Sequence, residues 1–245
     1  MTFEGGVGFS GDLGLAVIRG GRRMPANHDT HWNSGAPVRE LLRHAVPDKA
    51  LAPEVNAYRE RNLRYVLRGV PGLLAARALS KRFGIVTVTG ALYGRVIRGD
   101  GRIEELGLLG LKQVTTTGVN FLVDAWQNST EMENLKFHGY GTGGAAEGTG
   151  NTALTTEETT QYSPDNTRPT GTTTEGAAAN IFRTVATYTP DSGGTRALTE
   201  HGIFSQAATG GGTLWDRTLF SVVNIDAAAG DSLQTTYDCT VNAGG

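Results

Sequence analysis

The spacing of apolar residues changes character along the chain. Up to about Gly35 there is no sustained period. Gly5-Gly6-Val7-Gly8 and Gly20-Gly21-Arg22-Arg23-Met24-Pro25 are too rich in glycine to bury a core, and they predict an extended arm. Helical spacing follows. Pro37 suits the first position of a short helix through His44, where its missing N–H has no intrahelical partner to lose. Pro53 opens a second helix through Arg68. Val55, Tyr58, Asn62, Leu63, Val66 and Leu67 recur on one of its faces, and Arg61, Arg64 and Arg68 line another. Pro71-Gly72 interrupts, and residues 72–83 form a further short helix.

From residue 84 the period becomes two. Residues 84–90 and 91–97 predict strands, and Gly99-Asp100-Gly101 turns the chain into a strand over 102–111. One amphipathic helix follows. Thr115-Thr116-Thr117 supplies its cap, and Val119, Leu122, Val123 and Trp126 form an apolar face expected to be buried. Residues 139–176 read as a long Gly/Thr-rich loop, a length that usually binds something or packs on a neighbour. Strands are predicted over 179–189, 196–206, 213–226 and 231–241. In the last, Leu233, Thr235, Tyr237, Cys239 and Val241 alternate with Ser232, Gln234, Thr236, Asp238 and Thr240, the mark of an antiparallel sheet.

The expected fold is therefore mainly β. A C-terminal antiparallel β-sandwich or jelly roll with one short helix (113–245) follows a linking β-hairpin region (84–112) and an extended N-terminal arm with short helices (1–83). Such an arm, lacking a core, should be removable without unfolding the β domain.

Composition sharpens the division. The net charge of -2 divides into 15 basic against 8 acidic residues in 1–100, a balance of +7, and 7 against 16 in 101–245, a balance of -9. Of the threonines, 27 fall in the second stretch and 4 in the first. No run of apolar residues is long enough for a membrane helix, no secretory signal is expected from the first residues, and the single Cys239 leaves no intrachain disulfide. The basic positions Arg22, Arg23, Arg59, Arg61, Arg64 and Arg68 are the candidate partner-binding residues, docking on an acidic surface; the alternative is a solvated helix face. Their density is too low, and aromatic platforms too scarce, for a dedicated nucleic-acid binder.

Enzymatic motifs are weak. Asp191-Ser192-Gly193-Gly194 echoes a serine-protease nucleophile segment, but Pro190 stands where glycine is needed and an ordinary turn has the same composition. Gly139-Tyr140-Gly141-Thr142-Gly143-Gly144 fits the dinucleotide spacing without a helix after it, and reads as a loop. His28-Asp29-x-His31 lacks further metal ligands and reads as a polar turn, while His138 and His201 read as lone strand histidines, packing or hydrogen-bonded. The expectation is no catalytic residue, no metal, no cofactor and no enzyme, with a hydrolase using Ser192 or a histidine as the remote alternative.

One series of motifs carries more. Thr115 to Trp126 leads to Phe137-His-Gly-Tyr-Gly-Thr-Gly-Gly-Ala-Ala-Glu147, Asn151-Thr-Ala-Leu-Thr-Thr-Glu157 and Ala179 to Tyr188. Ala197-Leu-Thr-Glu-His-Gly-Ile-Phe204, Leu214-Trp-Asp-Arg-Thr-Leu-Phe220 and Asp231 to Tyr237 follow. In this order the series, over about residues 113–245, resembles a β-rich domain of structural proteins in tailed bacteriophages. The resemblance implies a multimeric virion building block without enzymatic residues, of a kind placed on capsids or on tails, and the first expectation is a decoration or cement protein on the capsid exterior. Its expected partners are the major capsid protein and further copies of itself, as a trimer. A tail, neck, baseplate or fibre component is the alternative.

Overall fold

A strand with apolar residues on both faces needs a covering layer on each side, and the hairpin β3 (Thr87–Ile97) and β4 (Ile103–Lys112) is built that way. Leu92, Val96, Leu106 and Leu109 enter one core, and Ala91, Tyr93, Leu108 and Leu111 enter another. The computed structural model describes residues 32–112 and 114–243, plus two short paired strands, β1 (Val17–Arg19) and β2 (Arg22–Met24).

The first core lies between two antiparallel sheets. β6 (Thr172–Glu175), β7 (Ile181–Tyr188) and β10 (Ser232–Asn242) complete a five-stranded sheet of order β4-β3-β10-β7-β6. β5 (Phe137–Gly141), β8 (Thr195–Phe204) and β9 (Leu214–Asp226) form the facing sheet, β5-β8-β9. Tyr140, Ile203, Trp215 and Phe220 from the smaller sheet meet Leu92, Tyr188, Leu233 and Cys239 from the larger. The protein is thus mainly β, with 36% of the described residues in strands and 24% in helices.

The second core departs from the expected arm. α1 (Val38–Arg43) and α2 (Pro53–Phe83) form a third layer, in which Trp32, Leu41, Ala45, Val66 and Leu73 pack on the outer face of β3 and β4. Trp32 stacks on Tyr93 with ring centroids 4.7 Å apart. The helices predicted to stop at Arg68 and restart at Gly72 are one 31-residue helix running through Pro71. Proline removes one backbone bond and crowds the preceding turn, but Val66 and Leu73 are both seated on the same sheet and hold the two halves in line. The hairpin of 84–112 is likewise no linker: β3 pairs with β10 over eleven residues. Removing residues 1–83 would therefore strip a core layer, contrary to the sequence expectation.

α2 also solves a problem of edges. β4 is the last strand of its sheet, and an unpaired edge presents bare carbonyls and N–H groups. Asn62 donates to the carbonyls of Leu108 and Leu109 and accepts from the N–H of Ser221 on β9, joining both sheets through one amide. Arg59 donates to the carbonyls of Leu106, Glu105 and Val46. Gly69 lets the helix lie this close, since a Cβ there would stand 1.9 Å from the Leu111 carbonyl oxygen. Gly69→Ala should therefore lower stability by about 1–3 kcal/mol, because overpacking outweighs the gain in helix propensity. A chemical-denaturation midpoint equal to or above that of the wild type would refute the close approach.

α3 (Thr116–Trp126) is capped as expected, with Thr115 Oγ1 accepting from the Gly118 N–H at 3.0 Å. Its orientation is not as expected. Gly118 and Phe121 are its buried residues, Leu122 packs partly against the core, and Trp126 is 76% exposed. The helix is apolar on two faces, and Gly118 allows the closer approach, toward the Trp215 carbonyl. The face read as buried is the outer one.

Candidate partner-binding face and the braced loop

The six arginines singled out by sequence do not act together. Arg22 and Arg23 belong to β2, and their side chains lie outside the described residues. Arg59 is 6% exposed and committed to the β4 edge, so it cannot serve as a docking residue. Burial lowers its pKa, with nearby Glu105 opposing the shift. Arg59 stands three residues before Asn62, which the pattern places on the apolar face, so the two share the side that meets the sheet. What the pattern lacked was a reason to place an arginine inward, and bare edge carbonyls are that reason.

Arg61, Arg64 and Arg68 are exposed on the opposite side of α2. Arg64 and Arg68 flank Tyr65, with guanidinium carbons 4.9 and 5.2 Å from its ring centroid. The ring holds two cations in one neighbourhood without neutralising either. Arg68 also lines a cleft of about 260 Å³ between α2, Leu111, Lys112 and residues 147–149. Two other cations of that cleft are engaged, Lys112 by Glu147 and Arg217 by Glu200. The exposed basic ridge, rather than the cleft, is the candidate contact surface.

The long loop is organised by charge. Glu200 of β8 accepts from the N–H groups of Gly143, Thr155 and Thr156 at 3.1, 3.1 and 2.7 Å, and pairs with Arg217 of β9 at 2.7 Å. Arg217 donates onward to the carbonyl of Ala145 and the hydroxyl of Thr155. The glycine-rich turn, which begins inside β5 rather than in a loop, does bind an anion, and the anion is this chain's own carboxylate. A Cβ at Gly143 would sit 2.4 Å from Glu200 Oε1. Arg168 forms a second brace, paired with Glu157 and donating to the carbonyls of Gln206, Ala208 and Gly211 over the face of Phe204.

Other motif residues fall into structural settings. Ser192 is exposed between β7 and β8, and Gly193 and Gly194 adopt φ of 86° and 67° there, as a turn requires. His138 and His201 are not isolated. His138 Nδ1 lies 3.0 Å from His201 Nε2 and 3.0 Å from Thr235 Oγ1, and Nε2 lies 3.1 Å from Thr184 Oγ1, bridging the two sheets. Burial depresses the pKa of His138 to about 3 and drives His201 well below its usual value, so both rings stand neutral. Asp216, buried beside Thr218 and Tyr237, is raised to about 7, chiefly by desolvation. Among the described residues no three His, Cys, Asp or Glu side chains gather as a metal site; His28, Asp29 and His31 lie outside those residues.

No family model, curated protein or solved structure matches the chain.

Proposed function

We propose that the protein is a structural component of a tailed-phage particle, seated on the outer capsid surface as a decoration protein that stabilises the shell. The observation that carries this reading is where the resembling motifs meet. The Gly-Thr-Gly loop, the Thr-Glu-x-Gly strand and the Arg-Thr strand converge on Glu200 and Arg217. The charged residues of these motifs are spent on bracing a loop, as suits a rigid building block. The ridge of Arg61, Arg64 and Arg68 supplies a cationic surface for an acidic subunit, and rim charges of this kind govern on-rate and salt dependence.

Quantitative mass spectrometry and immunogold labelling of purified particles test the reading. Copies numbering in the hundreds on the head support it, whereas label on the tail favours a tail or baseplate component. Replacing Arg61, Arg64 and Arg68 with glutamate should weaken capsid binding by roughly tenfold or more at low salt, with the difference shrinking as salt rises. Undiminished binding of the folded triple variant would remove the ridge from the contact.

A further inference from the structure

Two helices leave apolar stripes uncovered, and their surroundings carry opposite charge. On α2, Leu67, Pro71, Leu74 and Ala78 recur at steps of four, three and four, one line along a helix, and Leu67 and Leu74 are exposed. Residues 61–83 hold six basic residues and no acid. On α3, Val119, Val123 and Trp126 stand at steps of four and three, all exposed. Residues 114–135 hold three acids, Asp124, Glu131 and Glu133, and no base. Exposed apolar stripes rimmed by charge mark contact surfaces, and tryptophan, with tyrosine and arginine, is enriched among interface anchors.

We propose that these stripes are the two halves of one contact between copies of this chain, α2 of one molecule packing on α3 of the next. Charge selects this pairing over its alternatives. α2 on α2 would set the six cations of 61–83 against six, and α3 on α3 would set Asp124, with Glu131 and Glu133 just beyond the helix, against their own copies, while α2 on α3 opposes unlike charges. Lys81 and Arg82, exposed in the last turn of α2, supply the basic rim, leaving the ridge of Arg61, Arg64 and Arg68 to the capsid, and Trp126 is the anchor laid between the leucines. Because the two surfaces differ, the contact either occurs twice and closes a dimer or occurs once per pair and propagates, into a ring if its rotation closes and into an open chain if it does not. For its biological setting the proposal rests on the reading of a many-copy particle protein, but the contact itself is a property of the chain.

Sedimentation velocity of the full chain over a range of micromolar concentrations tests it. The wild type should self-associate, more strongly at low salt. Two double variants, Leu67→Ser with Leu74→Ser and Val123→Ser with Trp126→Ser, each change exposed positions and should each weaken association by roughly tenfold or more. Mixing the two variants is decisive, because each retains the half the other has lost. A 1:1 complex forming only in the mixture supports the proposal, whereas variants no better together than apart overturn it. A measurement on unaltered protein stands beside this one. Trp32 and Trp215 are buried, so Trp126 dominates quencher-accessible fluorescence, and its accessibility should fall as concentration rises. A wild-type chain that stays monomeric with Trp126 equally accessible throughout overturns the proposal and leaves the stripes to another partner. A self-associating protein missing from particles would sink the capsid reading and leave this contact standing; a monomer found on particles would do the reverse.

Discussion

Replacing Arg183 with alanine is expected to lower the unfolding free energy by about 3–5 kcal/mol, the usual cost of stranding a buried charge. Arg183 of β7 stands directly across from Asp238 of β10. Its Nε and Nη2 reach the two carboxylate oxygens at 2.7 and 2.9 Å, and Nη2 also donates to the Trp32 carbonyl. The two side chains are 1% and 0% exposed. Alanine leaves the carboxylate without its main cation in the layer where α1 and α2 meet the sheet, and frees the Trp32 carbonyl that fastens the start of that layer. For a chain of this size the melting temperature should fall by on the order of 10 °C. Removing both partners should cost less than the two single losses added together, since no charge is then stranded. Purely additive losses would show that the pair is not coupled.

Acidification is the second large effect. His138 and His201 are neutral in the folded protein and bind protons freely once unfolded, so their contribution is fully present above about pH 6.5 and is lost as pH falls below it. For His138 this window extends down to about pH 3, and for His201 it likewise opens below about pH 6.5. Asp216 works the other way. Its folded-state pKa of about 7 lies above the unfolded value, so it favours the folded state at low pH and loses that benefit as pH rises from about 4 to 7. Between pH 6 and 4 two histidines oppose one carboxyl, so the three groups together should destabilise the fold as pH falls, by on the order of 1 kcal/mol per unit. In Asp216→Asn the opposing group is gone and the slope should steepen to roughly twice that of the wild type. Urea-denaturation midpoints across this range read the slopes, and imidazole nitrogen shifts read the protonation directly. Histidines titrating near pH 6.5 in the folded protein would contradict the depressed values.

The strands were the most legible part of the chain. The strands predicted over 213–226 and 231–241 match β9 and β10 within a residue or two; alternation found β10, but its polar face, Ser232 to Thr240, is buried as well rather than hydrated. The strands predicted over 84–90 and 91–97 are one, β3, since Gly90 faces Tyr237 and Asp216 where a side chain would collide and so marks a close approach, not a turn. The helical layer was less legible. Composition shows that residues 1–83 cannot make a core alone, but not that Tyr93, Leu108 and Leu111 offer them one. α3 is apolar on two sides, and the choice between them was made by Gly118, a contact between elements about a hundred residues apart. The braces were invisible for the same reason: Glu200 and Arg217 are ordinary strand residues until the β8–β9 register brings them beside a loop some 50 residues earlier.

Cys239 lies in the sandwich core, and burial pushes its thiol up to about 12. Thiolate is the reactive form, so this sulfur is doubly shielded, by lack of access and by lack of ionisation. The sandwich thereby contains a single chemical clock. Alkylation of Cys239 can proceed only as fast as the two sheets part, and its rate records the opening of this core at one defined atom, without any label having been introduced.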